Sequence, residues 1–421
     1  MVVAVVVALA ASAPVATAAH GSTAPAVPTE QAVRMAARVR TEVDVVRVFD
    51  IGDLDSSTED LAHRAAYLAG AASATGRSGT FSVTGLRRRG RTVQAAPPGW
   101  VYPVSYSMVN PDVATPLMGG RVGGILGWGG IVMSTTGAQL RQAQVGDSLT
   151  VVATDGRSVD LLIAAIVDDA VTGGSEVLIS PSTGLSLGRS RASHVVIWNP
   201  RSRSALDTAL RSVGLEGRHE TRIRRSWDPP DPDLTLGLGA TKLALGEFAY
   251  QVTPEGDVVI DPAWVASNIS GGGARTEFQA IGVVAACHVT IRAALQSALR
   301  EIAEAGLAGA FDLGNTNQYG GCFVQRFNRI GGAVGGSLSR HTWGMAFDMN
   351  TTTNAQGTVP QLDCRIVRIF RRHGFAWGGN FTRPDGMHFE WVGERRDQLA
   401  YPSRYCPNVI EPEPTESVPR G

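Results

Sequence analysis

SLSRHTWGMAFDMN, Ser337 to Asn350, and WGGNFTRPDGMHFEW, Trp377 to Trp391, decide how this chain is read. In the first stretch Met345, Phe347 and Met349 alternate, the period of a strand with one apolar face, so Asp348 projects with Ala346 to the other face. In the second, Met387, Phe389 and Trp391 point one way and leave His388 and Glu390 on the opposite side. Two strands therefore each offer one ligand-type residue. His341 precedes the first strand, where a loop can return its imidazole over the polar face. Two imidazoles and a carboxylate form a usual catalytic zinc set with a fourth position left for water. Asp385, three residues before His388, is close enough to act on that water without being a ligand, as a general base.

These residues fill the pattern S-x-H-x-x-G-x-A-x-D followed by D/E-x-x-H: Ser339, His341, Gly344, Ala346 and Asp348, then Asp385 and His388. At these positions the chain resembles the zinc peptidases that include VanY-like and VanX-like D-alanyl-D-alanine carboxypeptidases and the phage endolysins that cut cell-wall peptides. The resemblance implies Zn2+ held by His341, Asp348 and His388, with Asp385 as catalytic base. Asp stands where VanX-like and VanY-like members usually carry Glu, and HFE after it looks more like the endolysin branch. YGGCFVQRFNR, Tyr319 to Arg329, resembles the family segment whose arginine holds substrate and polarises its carbonyl, which implies Arg326 and, less well, Arg329. Ser339 is implied as a substrate-side residue. The resemblance spans about Leu243 to Cys406. It implies an α+β fold with a C-terminal Hedgehog/DD-peptidase-like domain built on a small antiparallel sheet. The substrates implied are the stem peptides of peptidoglycan, cut as a D-Ala-D-Ala carboxypeptidase or, alternatively, as an L-Ala-D-Glu endopeptidase. A non-catalytic cell-wall binding module is the rival from another class, which intact Asp385 and Arg326 argue against.

Each residue also has a structural reading. A lone His is more often a hydrogen-bonded structural group than a ligand. Ser339 serves equally as a cap, Arg326 as an ion-pair residue, Trp377 as core beneath the site, and His373 as a helix end. Glu390 either orients His388 or forms a rim salt bridge.

The chain has 421 residues, 43% hydrophobic and 18% charged, which suits two globular domains and excludes a disordered protein. Its 38 basic and 38 acidic side chains cancel, so no global field draws it to nucleic acid or anionic lipid. Arg87, Arg88, Arg89 and Arg91 read as a solvated turn, and Lys242 is the sole lysine. MVVAVVVALAASAPVATA, residues 1–18, has the length and small-residue ending of a signal peptide, with an uncleaved membrane anchor as the rival. The expectation is a secreted, extracytoplasmic, wall-associated protein. Four cysteines, Cys287, Cys322, Cys364 and Cys406, lie in the second half and imply two disulfides. Of the three pairings, Cys287–Cys322 with Cys364–Cys406 is favoured, because the second bond would tie the C-terminal segment to a helix around Ile366–Phe370.

Residues 19–50 read as a linker or extension and 51–225 as a β-rich N-terminal domain. Within it, Ser57–Ala72 forms a helix capped by Ser57, and short strand runs extend from about Thr80 to Trp198, with Asp155-Gly156 as a hairpin turn. The segment from Gly129 to Asp169 resembles, distantly, extracytoplasmic domains of MacB-like and FtsX-like permeases, which implies binding or positioning and an envelope protein partner. Residues 226–240, WDPPDPDLTLGLG at their heart, read as a linker, 241–408 as the peptidase domain with an amphipathic helix over Thr290–Ala305, and 409–421 as a disordered tail.

Overall fold

The computed structural model describes residues 43–410 apart from 219, 274–275, 279–281, 312–317 and 330–335. The leader, most of the first extension and nearly all of the tail lie outside the described residues. Helices and strands are mixed throughout, as an α+β chain requires.

In the N-terminal half, strands β1 (Val45–Asp50), β9 (His194–Trp198) and β10 (Thr221–Arg225) join the first part of β2 (Ala72–Arg88) in the order β10-β1-β9-β2. Helices Ser56–Leu68 and Arg203–Ser212 cover this sheet, burying Ala62, Ala65, Leu206 and Leu210 against Val46, Val48, Val195 and Ile197. The first helix starts one residue earlier than expected and stops at Leu68. Asp55, not Ser57, is its cap, accepting from the Ser57 amide at 2.8 Å.

β2 is 17 residues long and bends into a second unit. There it pairs with β4 (Tyr102–Met108) on one side and β6 (Ser148–Val152) on the other. β8 (Val177–Ile179), β5 (Ile131–Ser134) and β7 (Ser158–Val167) complete the circuit β2-β4-β8-β5-β7-β6, a closed barrel that leaves no free edge among these strands. Phe81, Val104, Ile131, Leu149 and Ile163 fill it. Gly156, with φ of 84°, makes the expected β6–β7 turn. The arginine run forms the turn from β2 into β3 (Arg91–Ala95), and Arg88 pairs with Asp147 at 2.9 Å.

The C-terminal half has its own core. Hairpin strands β11 (Tyr250–Val252) and β12 (Val258–Ile260) and the short pair β13 (Thr276–Phe278) and β14 (Val283–Ala285) precede the helix Arg292–Glu304, whose Leu295, Leu299 and Ile302 are buried as the amphipathic pattern requires. A four-stranded antiparallel sheet follows, ordered β15 (Tyr319–Gly320), β16 (Ala346–Met349), β18 (His388–Trp391), β17 (Phe375–Trp377). Met345, Phe347, Met349 and Phe389 line its inner face, and Phe370 of the helix Cys364–Arg372 stacks 4.1 Å from Phe389. Each such buried side chain contributes about 1.5–3 kcal/mol. Disulfides join Cys287 to Cys322 and Cys364 to Cys406, the expected pairing, and the second ties the C-terminal segment to that helix.

Prolines and acids led residues 226–240 to be read as a linker, yet the segment is fastened along its length. Asp231 and Asp233 are buried, and Asp233 pairs with the fully buried Arg371 at 2.6 Å. The two halves also meet directly: the amides of Val101 and Tyr250 each donate to the other's carbonyl, at 2.8 and 2.9 Å. Beside them Lys242 donates to Glu176 and Glu247 at 2.6 and 2.8 Å, and Arg141 contacts the same two carboxylates at 3.2 and 2.5 Å. Burial alone would raise the Glu176 carboxyl, but the Lys242 and Arg141 charges outweigh it and hold it below the usual carboxylate range.

Candidate metal centre

The antiparallel register of β16 and β18 makes the site. Asp348 lies directly opposite His388, and Ala346 opposite Glu390, so Asp348, His388 and Glu390 share the face away from the core. His388 Nδ1 is 3.0 Å from Asp348 Oδ1. His341 arrives from a 3-10 turn, Arg340–Trp343. Ser339 caps that turn, its hydroxyl accepting from the His341 amide at 3.4 Å, and Gly344 ends it at φ of 64° with its amide bonded to the His341 carbonyl. A Cβ on Gly344 would sit 2.9 Å from the His288 backbone nitrogen, so a side chain is excluded as well as strained. The turn leaves His341 Nε2 3.2 Å from Asp348 Oδ2, with the two imidazole centroids 5.2 Å apart.

His341, Asp348 and His388 each present one ligand atom, all within 4.8 Å of one another. Ligands that share a zinc ion at about 2.0–2.1 Å stand roughly 3.3 Å apart, close to the 3.0 and 3.2 Å found between Asp348 and the two imidazoles. His341 is 1% exposed and, beyond the 3.2 Å approach of Nε2 to Asp348, its ring nitrogens have no hydrogen-bond partner among the described residues, an expensive state unless a cation takes the lone pair. His388 turns Nε2 toward Glu390 Oε2 at 3.5 Å, which leaves Nδ1 facing Asp348. Glu390 is in turn 3.2 Å from Arg340 Nε. These residues fit a bound metal.

The electrostatics agree. Burial would lift the Asp348 carboxyl, but the His341 and His388 imidazoles drive it well below the carboxylate range. Burial would lower His388, yet its bonds to Asp348 and Glu390 and the charges of Asp348 and Asp385 push it up to about 10. A cluster that draws a proton onto a buried imidazole so strongly also attracts a cation.

Asp385 lies in the loop before β18. Its amide bonds to the Gly378 carbonyl at 2.9 Å, and its carbonyl accepts from the His388 amide at 3.1 Å. Gln356 donates to Asp385 Oδ2 at 3.0 Å, while Oδ1 is buried without a partner among the described residues. Burial first, and the Asp348 charge second, raise this carboxyl above its ordinary range against the pull of the imidazoles. Arg326 is half-buried and donates to the Phe327 carbonyl at 3.3 Å. Burial and neighbouring Arg329 lower its guanidinium while the Asp348 and Asp385 charges raise it, which puts it within electrostatic reach of the site. Arg329 is exposed. His373 is not near the ligands; it ends the helix Cys364–Arg372 and pairs with Glu301 at 2.7 Å. Trp377 is core, its indole donating to the Gly386 carbonyl at 2.9 Å. Sequence reading did not single out Gln356, which sits in the loop NTTTNAQGTVPQ with no motif to mark it.

Comparison with known proteins finds a family model that matches the segment holding this site. Residues 333–391 match the family model described as D-alanyl-D-alanine carboxypeptidase, a span that holds both motif stretches and all three ligand residues. The match supports a metallopeptidase that acts on peptidoglycan peptides. The crystal structure of the extracellular domain of the noncanonic ABC-type transporter YknZ from Gram-positive bacteria is similar over 43% of this chain and 99% of that one, at 11% identity and a TM-score of 0.28. No curated protein matches the chain. Among the described residues no helix is long and apolar enough to cross a membrane.

Proposed function

We propose that this protein is an exported zinc peptidase that hydrolyses the stem peptides of peptidoglycan as a D-alanyl-D-alanine carboxypeptidase. The observation that carries the reading is the convergence of His341, Asp348 and His388 beside a buried carboxylate with one unengaged oxygen. A zinc ion held by those three residues supplies a Lewis acid and makes a water nucleophilic near neutral pH. Gln356 holds one oxygen of Asp385, so the other is the one that takes the proton from the attacking water and returns it to the leaving amine. Arg326 offers positive charge to the carbonyl oxygen of the scissile bond or to the terminal carboxylate of the substrate. Ser339 acts through His341, as the cap of the turn that carries it. Two disulfides support folding in an oxidising compartment outside the cytoplasm. The barrel and its adjoining sheet are assigned to residues 45–225, because β1, Val45–Asp50, belongs to that sheet rather than to the extension expected over 19–50, and an envelope protein is the partner proposed for them.

Incubation of the full chain with pentapeptide muropeptides, with and without a zinc chelator, tests this by mass spectrometry of the products. Chelator-sensitive loss of one terminal alanine supports the carboxypeptidase. Chelator-sensitive internal cleavage replaces it with an endopeptidase, and no cleavage by the zinc-loaded chain rejects the enzyme in favour of a wall-binding module.

A further inference from the structure

We propose that the N-terminal domain takes part in the reaction as a positioning element, through Arg222 of its outermost strand β10. This rests on the reading of Asp385 as the general base. Arg222 reaches across the domain boundary and its Nη1 donates to the carbonyl oxygen of Asn380, 158 positions further along the chain. Its Nη2 is 3.1 Å from Asp231 Oδ2 in the interdomain segment, so the guanidinium is aimed from two sides.

Asn380 is the pivot of the loop that carries the base. Its amide nitrogen donates to Asp233 Oδ2 at 2.8 Å and to the Tyr405 carbonyl at 2.9 Å, and its amide oxygen accepts from the Tyr405 amide at 2.9 Å. Asp233 also accepts from the Trp377 amide at 3.0 Å and from Arg371 at 2.9 and 2.6 Å. Two residues back from Asn380, the Gly378 carbonyl receives the amides of both Phe381 and Asp385, each at 2.9 Å. A Cβ at Gly378 would lie 2.6 Å from the Asp385 carbonyl oxygen and 3.1 Å from His388 Cβ, so the loop has no slack there. Displacement of Asn380 therefore moves Gly378, and with it the backbone of Asp385. The same interdomain segment braces the opposite side of the site, because Arg340, the partner of Glu390, donates to the Leu236 carbonyl and to Thr241. A base shifted by about 1 Å loses on the order of a hundredfold in rate, so such bracing acts on turnover rather than on binding.

The test uses the full chain with Arg222→Ala, Arg222→Lys and, as a control, Arg224→Ala. Arg224 also pairs with Asp231, at 2.6 Å, so its removal takes away one of the two guanidinium partners of Asp231 and leaves the bond from Arg222 to Asn380 in place. Hydrogen exchange is followed over 376–388 in the metal-free and zinc-loaded protein, alongside steady-state cleavage of muropeptides. Arg222→Ala is expected to speed exchange of the Phe381 and Asp385 amides about tenfold and to lower kcat about tenfold, with KM and bound zinc unchanged. Arg222→Lys retains the charge with fewer donors and falls between; it gives the answer if truncation unfolds the strand. Arg224→Ala should match the parent in both. The proposal is overturned if loop exchange and kcat in the Arg222 variants stay within twofold of the parent, or if Arg224→Ala reproduces the loss. If the parent cleaves nothing, the peptidase reading fails, while the exchange data still decide whether Arg222 holds the loop.

Discussion

Replacing Lys242, the only lysine in the chain, by Met should loosen the junction between the two halves more than any other single change at the surface they share. All three Nζ protons are engaged, by the Pro103 carbonyl at 2.6 Å and by Glu176 and Glu247 at 2.6 and 2.8 Å, and the side chain is fully buried. With Arg141 the four groups sum to zero charge. Methionine leaves two carboxylates facing one guanidinium, a net negative charge in a dry site, and strands the Pro103 carbonyl. Breaking a buried pair costs about 3–5 kcal/mol and an unmet carbonyl about 1–3, overlapping terms that together give roughly 4 kcal/mol. At about 2–4 °C per kcal/mol, the melting temperature should fall by roughly 8–15 °C in calorimetry. Adding Glu176→Gln restores neutrality and should recover about half of the loss, the signature of coupling rather than of two independent defects. The parent offers a second readout: an amine-acylating reagent should leave Lys242 untouched until the protein unfolds. A Lys242→Met melt within about 2 °C of the parent, or acylation of Lys242 in the folded chain at the unfolded rate, would refute the argument.

Asp385→Asn should keep zinc, read by metal analysis, and lose about 10²–10⁴-fold in kcat, since the amide cannot accept the proton; near-parental turnover removes Asp385 from the base role. Burial lowers His288 to about 4 and His194 to about 3, so both are neutral when folded and bind protons when unfolded. Their effect is destabilising: it is absent above the unfolded value of about 6.5 and grows as pH falls from there to about 4, at about 2.7 kcal/mol per pH unit for the two together. Denaturant titrations from pH 7 to 4 should show this, and His288→Asn should flatten the slope by about half. Reduction of Cys364–Cys406, which closes a loop of 42 residues, should cost about 3–4 kcal/mol in urea unfolding and fray the segment around Tyr405 first by hydrogen exchange.

The candidate ligand set is legible because it is written in short-range patterns. Alternation in Met345–Met349 and Met387–Trp391 sorts apolar from polar faces wherever one side of a sheet is buried, and the strands formed with that sorting intact. The amphipathic helix Arg292–Glu304 and the β6–β7 turn were readable for the same reason. The first helix was misplaced by a residue at its start because Asp55, Ser56 and Ser57 are all competent caps, and only the approach of the chain selects among them.

What the sequence alone determined, then, is which residues are candidates for chemistry and which faces are apolar, since periodicity and capping depend on neighbours a few positions apart. Tertiary structure decided which of those residues meet. The register that sets Asp348 against His388, the carboxamide of Gln356 on Asp385, and the anchoring of the Pro-rich segment by Asp233 all join positions far apart in the chain. The composition of 226–240 reads as a tether because proline and acid exclude helix and strand. Only the buried Arg371 across the fold turns Asp233 from a solvated acid into an anchor, and no local pattern carries that information.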